Sequence, residues 1–177
     1  MSKIDEADFG NSELRIRPMN QSDCTSLSDL TAQLAEFEKM GHLNHMTPQR
    51  VFNDKYVRCP SLFEALIAEV KSSEDFDWVV VGSAIYIVGF SLRWGKYTYL
   101  EDLFVRSDYR NKGIGTKLFT SVIQKSRDEH GSRSMHWAVV NWNEKAKKFY
   151  RQFGGDECKG SIRFRFDENH KFLQTSN

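Results

Sequence analysis

A chain of 177 residues is long enough to bury one good core without metal or disulfide staples, which makes a single domain the default. Its 25 Lys+Arg against 24 Asp+Glu leave a net charge of +1, so there is no field to gather nucleic acid or anionic lipid. Cys24, Cys59 and Cys158 are odd in number, widely spaced and without a CxxC, which argues against a disulfide framework and a zinc site and for a reducing compartment.

Residues 1–12 are polar and acidic, unlike a secretory signal, and read as a loose tail before a domain spanning 13–177. No apolar run reaches the roughly 18 residues of a membrane helix, so a soluble, cytoplasmic protein that binds no membrane is expected. Leu14 to Arg17 alternate as a short strand stopped by Pro18. Leu27, Leu30, Leu34 and Phe37 recur at helical spacing, with Gly41 placed to end that helix. Thr47-Pro48, a cap followed by a proline suited to the first turn, starts a second helix running to about Arg58.

Phe63 to Val70 and Val79 to Leu92 are rich in branched and aromatic residues and read as antiparallel strands. Trp94-Gly95-Lys96 supplies a turn, and Tyr97 to Val105 a further strand that carries Glu101-Asp102 into apolar surroundings. Ile114, Leu118, Phe119, Val122 and Ile123 form a helical stripe closed by Gly131. Met135 to Val140 is a strand, and Asn143 caps a helix with Ala146, Phe149, Tyr150 and Phe153 on one face, ended by Gly154-Gly155. Ile162 to Phe166 is a last strand. The fold class that follows is α/β in the α+β sense, a mixed, mostly antiparallel central sheet flanked by helices.

The sharpest local pattern is Arg110-Asn111-Lys112-Gly113-Ile114-Gly115, between the Tyr97 strand and the Ile114 helix. Glycines there allow a tight turn and close approach of a bound group, and the helix start presents N–H groups to an anion. The same residues also serve as a plain chain-reversing turn, and spacing alone does not decide between the two. Neither the GK[ST] of a nucleotide P-loop nor the third glycine and acidic residue of a dinucleotide site is present.

The run from Tyr99 to Gly115 resembles the acyl-CoA-binding core of the GNAT superfamily of N-acetyltransferases, with its Arg-x-x-Gly-x-Gly. Ile16-Arg17-Pro18, Leu34 to Glu38, Tyr99 to Asp102, Ser134-Met135-His136, Trp142-Asn143-Glu144 and Phe149-Tyr150 resemble the diamine acetyltransferase family within it, which includes spermidine/spermine and thialysine N-epsilon-acetyltransferases. The likeness spans roughly Leu14 to Asp167.

It implies the GNAT fold, a homodimer, and transfer of an acetyl group from acetyl-CoA to a small amine, with no metal. The backbone of Leu103, Phe104 and Val105 would pair with the pantetheine arm. Arg110, Asn111, Lys112, Gly113, Ile114, Gly115 and Thr116 would hold the pyrophosphate, and Asn143, Glu144, Lys145 and Ala146 would line the other side. Tyr150 would protonate the departing CoA thiolate, for which a phenol of reference pKa about 10 suits a donor. Its plainer role is a core aromatic.

Because an ammonium has no lone pair, the amine must first lose a proton. Glu101, directly or through water, is the first candidate acceptor and His136 the second. Phe37, Glu38, Glu101, Asp102 and His136 would line the amine site, Glu38 by fixing a distal amine. Adjacent strand residues point to opposite faces, so Glu101 and Asp102 share one site only where the strand is distorted.

The chain departs from the polyamine enzymes in Met40 to His45, where its lining is less acidic, and at Lys159 and Ser161, where those enzymes have a glutamate and a tryptophan. A substrate with an α-carboxylate gains from a nearby cation, so thialysine or a lysine analogue is the expected substrate, with Lys159 or Arg163 as carboxylate partner. A diamine or polyamine, and a binding module without turnover, are the alternatives.

Overall fold

The computed structural model describes residues 12–71 and 77–158, and the chain divides into two compact units, Met1–Ala138 and Val139–Asn177. The first unit is built on a five-stranded sheet in the order β1 (Glu13–Pro18), β2 (Glu64–Lys71), β3 (Val79–Ser91), β4 (Gly95–Val105), β5 (Ser134–Trp137). Neighbours from β1 to β4 are antiparallel, whereas β5 lies parallel to β4. The short connections after β2 and β3 suit hairpins, and the parallel step to β5 is made by the long crossover through helix α3 (Ile114–His130).

Helices α1 (Cys24–Phe37) and α2 (Pro48–Phe52) cover one face of the sheet. Cys24, Leu27 and Val51 pack there with Ala65, Ile67 and Ile85. The opposite face belongs to α3, whose Ile114, Leu118, Phe119 and Val122 are buried. Phe119 meets Trp137 edge to face at 5.6 Å, and Thr98 Oγ1 donates to Ser132 Oγ at 2.9 Å just beyond the helix. The expected mixed sheet with flanking helices is therefore present.

Arg17 ties the start of the unit together. Its guanidinium donates to both carboxylate oxygens of Asp23 at 2.6 and 2.8 Å and of Glu69 at 2.7 and 2.9 Å. Burial alone would raise both carboxyls, but these charge-assisted bonds hold them below their ordinary range. Asp23 also accepts from the Asn20 N–H at 2.7 Å and closes a capping box for the turn that leads into α1.

Two local expectations are corrected and a third is refined. Lys39, not Gly41, is the left-handed residue that ends α1, with φ of 62°. The Met40 N–H donates to Ala35 at 2.8 Å and the Lys39 N–H to Glu36 at 3.0 Å, a Schellman closure with lysine in the usual glycine place. Gly41 instead lies against Glu36, whose carboxylate a Cβ built there would meet. The second helix keeps its expected extent to about Arg58, but its α-helical turn passes after Phe52 into a π-helical turn over Asn53–Val57. Strand β5 ends at Trp137 rather than Val140.

The second unit contains α4 (Glu144–Gln152). Asn143 Oδ1 accepts the Ala146 N–H at 3.0 Å, the expected cap, and Gly154 takes the left-handed φ of 77° beyond the other end. The expected strand Ile162 to Phe166 lies outside the described residues. Among the described residues no helix is long and apolar enough to cross a membrane.

Candidate active site

The site begins with a fault in β4. Ile85 on β3 faces Asp102, but the next residue, Tyr86, faces Leu100, so Glu101 is an extra residue on the β4 side of the ladder. Paired residues share a face, and Ile85 belongs to the α1 face. Asp102 and Phe104 therefore point toward α1 with Ile85 and Ser83. Before the fault, Tyr97 and Tyr99 lie opposite Gly89 and Ile87, also on that face. The bulge shifts the alternation by one residue, so Glu101, in phase with Tyr99, and Asp102, in phase with Phe104, both address the α1 side. This is the distortion the adjacent pair requires to act in one place.

The electrostatics follow from this grouping. Asp102 is half-buried, and burial, then the charges of Glu101 and Glu38, push its carboxyl up to about 7. Glu38 caps the end of α1 and is itself raised by burial, while Glu101 is exposed. Three carboxylates from two elements thus meet beside the last turn of α1. Phe37, the final residue of that helix, is 41% exposed at the same end.

His136 lies on β5 opposite Tyr99. Its ring meets Tyr97 edge to face at 5.1 Å and Trp94 at 6.0 Å, and its Nε2 is 3.1 Å from Ser134 Oγ. The sequence reading missed Trp94 and Tyr97 as neighbours of this histidine, because β4 and β5 meet only through the crossover.

Pairing of β5 to β4 stops at Trp137 with Leu100, one residue before the bulge. No strand of the described residues continues the ladder along Glu101 to Val105 on that side. Peptide groups on this edge suit a ligand that pairs like a strand, as proposed for Leu103, Phe104 and Val105.

From β4 the chain makes a 3₁₀ turn at Ser107–Tyr109 and enters the Arg110 to Thr116 loop. Asn111 and Gly113 both take left-handed backbones, with φ of 61° and 76°. Gly113 is the N-cap of α3, and no side chain caps the helix there. The first N–H groups of a helix have no partner within it, so this end presents donors and the positive pole of the dipole to an anion. A Cβ built on Gly115 would meet nothing nearer than Val105 Cγ2 at 4.0 Å. Packing against the described residues therefore does not demand glycine at 115. Gly113→Ala should cost on the order of 1 kcal/mol, a fall of about 2–4 °C in Tm by thermal melt, because alanine is strained at this φ.

Lys112 is exposed, with Nζ 5.4 Å from the Tyr109 ring centre. Arg110 differs: Nε donates to the Val105 carbonyl at 2.8 Å, and Cζ stands 5.1 Å from the Phe37 ring centre and 5.2 Å from that of Phe104. That carbonyl, one of the groups assigned to the pantetheine arm, already accepts a bond within the protein.

In the second unit Asn143 is committed to its cap, Glu144 pairs with Lys147 at 2.8 Å, and Lys145 is exposed. Tyr150 is half-buried on α4, its ring 5.1 Å from that of Phe149, which in turn packs on Phe153 at 5.1 Å. Lys159, Ser161 and Arg163 lie outside the described residues.

The model of the acetyltransferase (GNAT) family matches residues 36–154. The chain is 34% identical over 158 residues to the thialysine N-epsilon-acetyltransferase of Mus musculus, covering 86% of this chain and 92% of that protein. It is 30% identical over 141 residues to the human spermidine/spermine N(1)-acetyltransferase-like protein 1, covering 79% of this chain and 20% of that one. Among solved structures, the aminoglycoside N-acetyltransferase AAC(6')-Iy in complex with CoA superposes with a TM-score of 0.67 at 20% identity, over 88% of this chain and 95% of that chain. An integron cassette protein of V. cholerae gives 0.67 at 24% identity, over 88% and 93%. The structural likenesses establish the fold alone; the family match over residues 36–154 and the identity to the Mus musculus enzyme show that the chain belongs to the acetyltransferase (GNAT) family and is an acetyl-CoA-dependent N-acetyltransferase.

Proposed function

We propose that the enzyme acetylates the primary amine of a small, amino-acid-like aminoalkyl substrate, with thialysine as the lead. The observation that carries the reading is the group of Glu38, Glu101 and Asp102 on the α1 face, beside the edge of β4 that no strand of the described residues pairs beyond Leu100. An anionic wall next to the strand that would bind the thioester arm suits a cationic amine. The name of the Mus musculus relative supports the lead substrate.

Acetyl-CoA supplies the activated acetyl group as a thioester. Glu38 and Asp102 hold the ammonium, and Phe37 closes the apolar side. Glu101 accepts the proton that frees the nitrogen lone pair, directly or through water, with His136 as the alternative acceptor. The freed nitrogen would attack the acetyl carbonyl carbon to form the C–N bond, and, on the family resemblance alone, Tyr150 would donate its phenolic proton to the sulfur as the carbon–sulfur bond breaks, with Asn143 to Ala146 as cofactor-binding residues. The reading includes a cytoplasmic homodimer, on the family resemblance alone.

A second reading, acetylation of a diamine or polyamine, draws on the same three carboxylates, since each added cation of the substrate gains from another anion. Thiol release from acetyl-CoA with thialysine, lysine, ornithine, putrescine, spermidine and spermine separates the two. The lead expects thialysine to have the highest kcat/KM; a higher value for spermidine or putrescine moves the assignment to polyamines.

A further inference from the structure

Among the described residues the guanidinium of Arg110 meets the Val105 carbonyl through Nε at 2.8 Å, and the rings of Phe37 and Phe104 at 5.1 and 5.2 Å from Cζ. Phe37 is the last residue of α1, followed directly by Glu38. Phe104 stands two residues beyond Asp102 on the same face of β4. The two aromatic partners thus flank the carboxylates of the amine site, one on each element, and 73 residues separate Arg110 from Phe37 along the chain. A guanidinium can stack its flat face on aromatic rings while its in-plane N–H groups donate; an ammonium on a flexible stem cannot do both.

We infer that Arg110 is a positioning residue for the amine site, which holds the end of α1 against the acidic stretch of β4, and that it is not chiefly a ligand of the CoA phosphates. The Val105 bond orients the fork, and the Phe37 and Phe104 contacts make Arg110 the wedge between helix and strand. Anion binding is left to the backbone amides at the start of α3, which need no side-chain charge. This inference rests on the amine site described under the proposed function.

The charge-keeping variant Arg110→Lys and the deletion Arg110→Ala separate the two roles, assayed with acetyl-CoA and with S-acetylpantetheine, which lacks the pyrophosphate and nucleotide. A clamp predicts that lysine does not rescue. Both variants should raise the KM of the amine by about tenfold, the scale of one lost stacking and hydrogen-bonding contact. Both should lower kcat/KM for the two acyl donors by the same factor. Phe37→Leu, a milder change on the exposed helix end, should raise the amine KM in the wild-type background and add little in Arg110→Lys.

A loss confined to acetyl-CoA, or one that lysine restores, would overturn the inference in favour of a phosphate contact. The ratio between donors is read within one protein preparation, so a partly folded variant does not distort it. Which amine is preferred is read from wild type alone, so the substrate assignment and the clamp can fail separately.

Discussion

Tyr150→Phe is expected to lower kcat by about a hundredfold or more, the usual range for loss of a positioned general acid. The substitution removes one hydroxyl and keeps the ring that packs on Phe149 at 5.1 Å, so Tm should stay within about 1 °C. Affinity for acetyl-CoA should change little, because the phenol acts when charge develops on sulfur, not when the thioester binds. A thiol of pKa near 8.5 leaves tolerably well as its anion, so replacing the CoA thioester by an aryl thioester, whose thiolate is a better leaving group, should narrow the gap between variant and wild type. Rapid-quench single-turnover assays measure the step itself. If Phe supports turnover at the wild-type rate with acetyl-CoA, Tyr150 is only a packing aromatic of α4 and another group delivers the proton.

The second large effect belongs to Asp102, and it has opposite signs for stability and for function. A carboxyl held at about 7 instead of 3.8 keeps its proton in the folded protein over a range where the unfolded chain has released it. Stability from this group is therefore greatest in acid, falls as pH rises from about 4 to 7, and stays low above that. At about 1.4 kcal/mol per pKa unit, the cost to the folded state above pH 7 is on the order of 4 kcal/mol. Asp102→Asn removes the charge that causes it, so the variant should be more stable at pH 8 by roughly 2 kcal/mol, the rest being lost to the amide's own burial. Near pH 4 the order should reverse, with Asn the less stable by roughly 1–2 kcal/mol, because the amide's burial cost does not titrate while the protonated carboxyl has regained its stability. Melting curves at the two pH values test this, and an Asn variant that melts lower than wild type at pH 8 would mean the carboxylate is well satisfied where it stands.

The same change should harm catalysis. A cationic substrate gains from Asp102 only when it is ionised, so the wild-type KM for the amine should fall as pH rises through about 7. In Asp102→Asn that dependence should flatten and KM should rise by about tenfold or more, as expected for a lost charge-assisted contact. Measuring KM from pH 6 to 8.5 in both proteins separates this from titration of the amine itself, whose proton leaves near pH 10. Stability held below its optimum at a binding site is a recurrent trade in enzymes, and the three carboxylates beside α1 are a candidate instance.

Much of this was legible along the chain. The apolar stripes of α1 and α3, the caps at Thr47 and Asn143, and the branched and aromatic runs of β2 and β3 are local patterns, and the structure keeps them as helices and strands. The departures arise where a local rule met a tertiary contact. Gly41 was the obvious helix terminator, yet α1 closes on Lys39, two residues earlier.

The pair Glu101-Asp102 shows the boundary most clearly. Its sequence announces two acids in an apolar strand, and the pleat says they point apart. Only the register with β3, set by Ile85 facing Asp102 and Tyr86 facing Leu100, turns both toward α1. Likewise Arg110 reads as a phosphate cation until Phe37 and Phe104 are found on either side of it. By itself the sequence determined the order of the described elements, the glycine-rich entry to α3 and the family, because each depends on residues close together in the chain. The tertiary structure alone decided which acids share a face and what Arg110 holds, because a strand's register and a long-range stack are set by partners that no local pattern encodes.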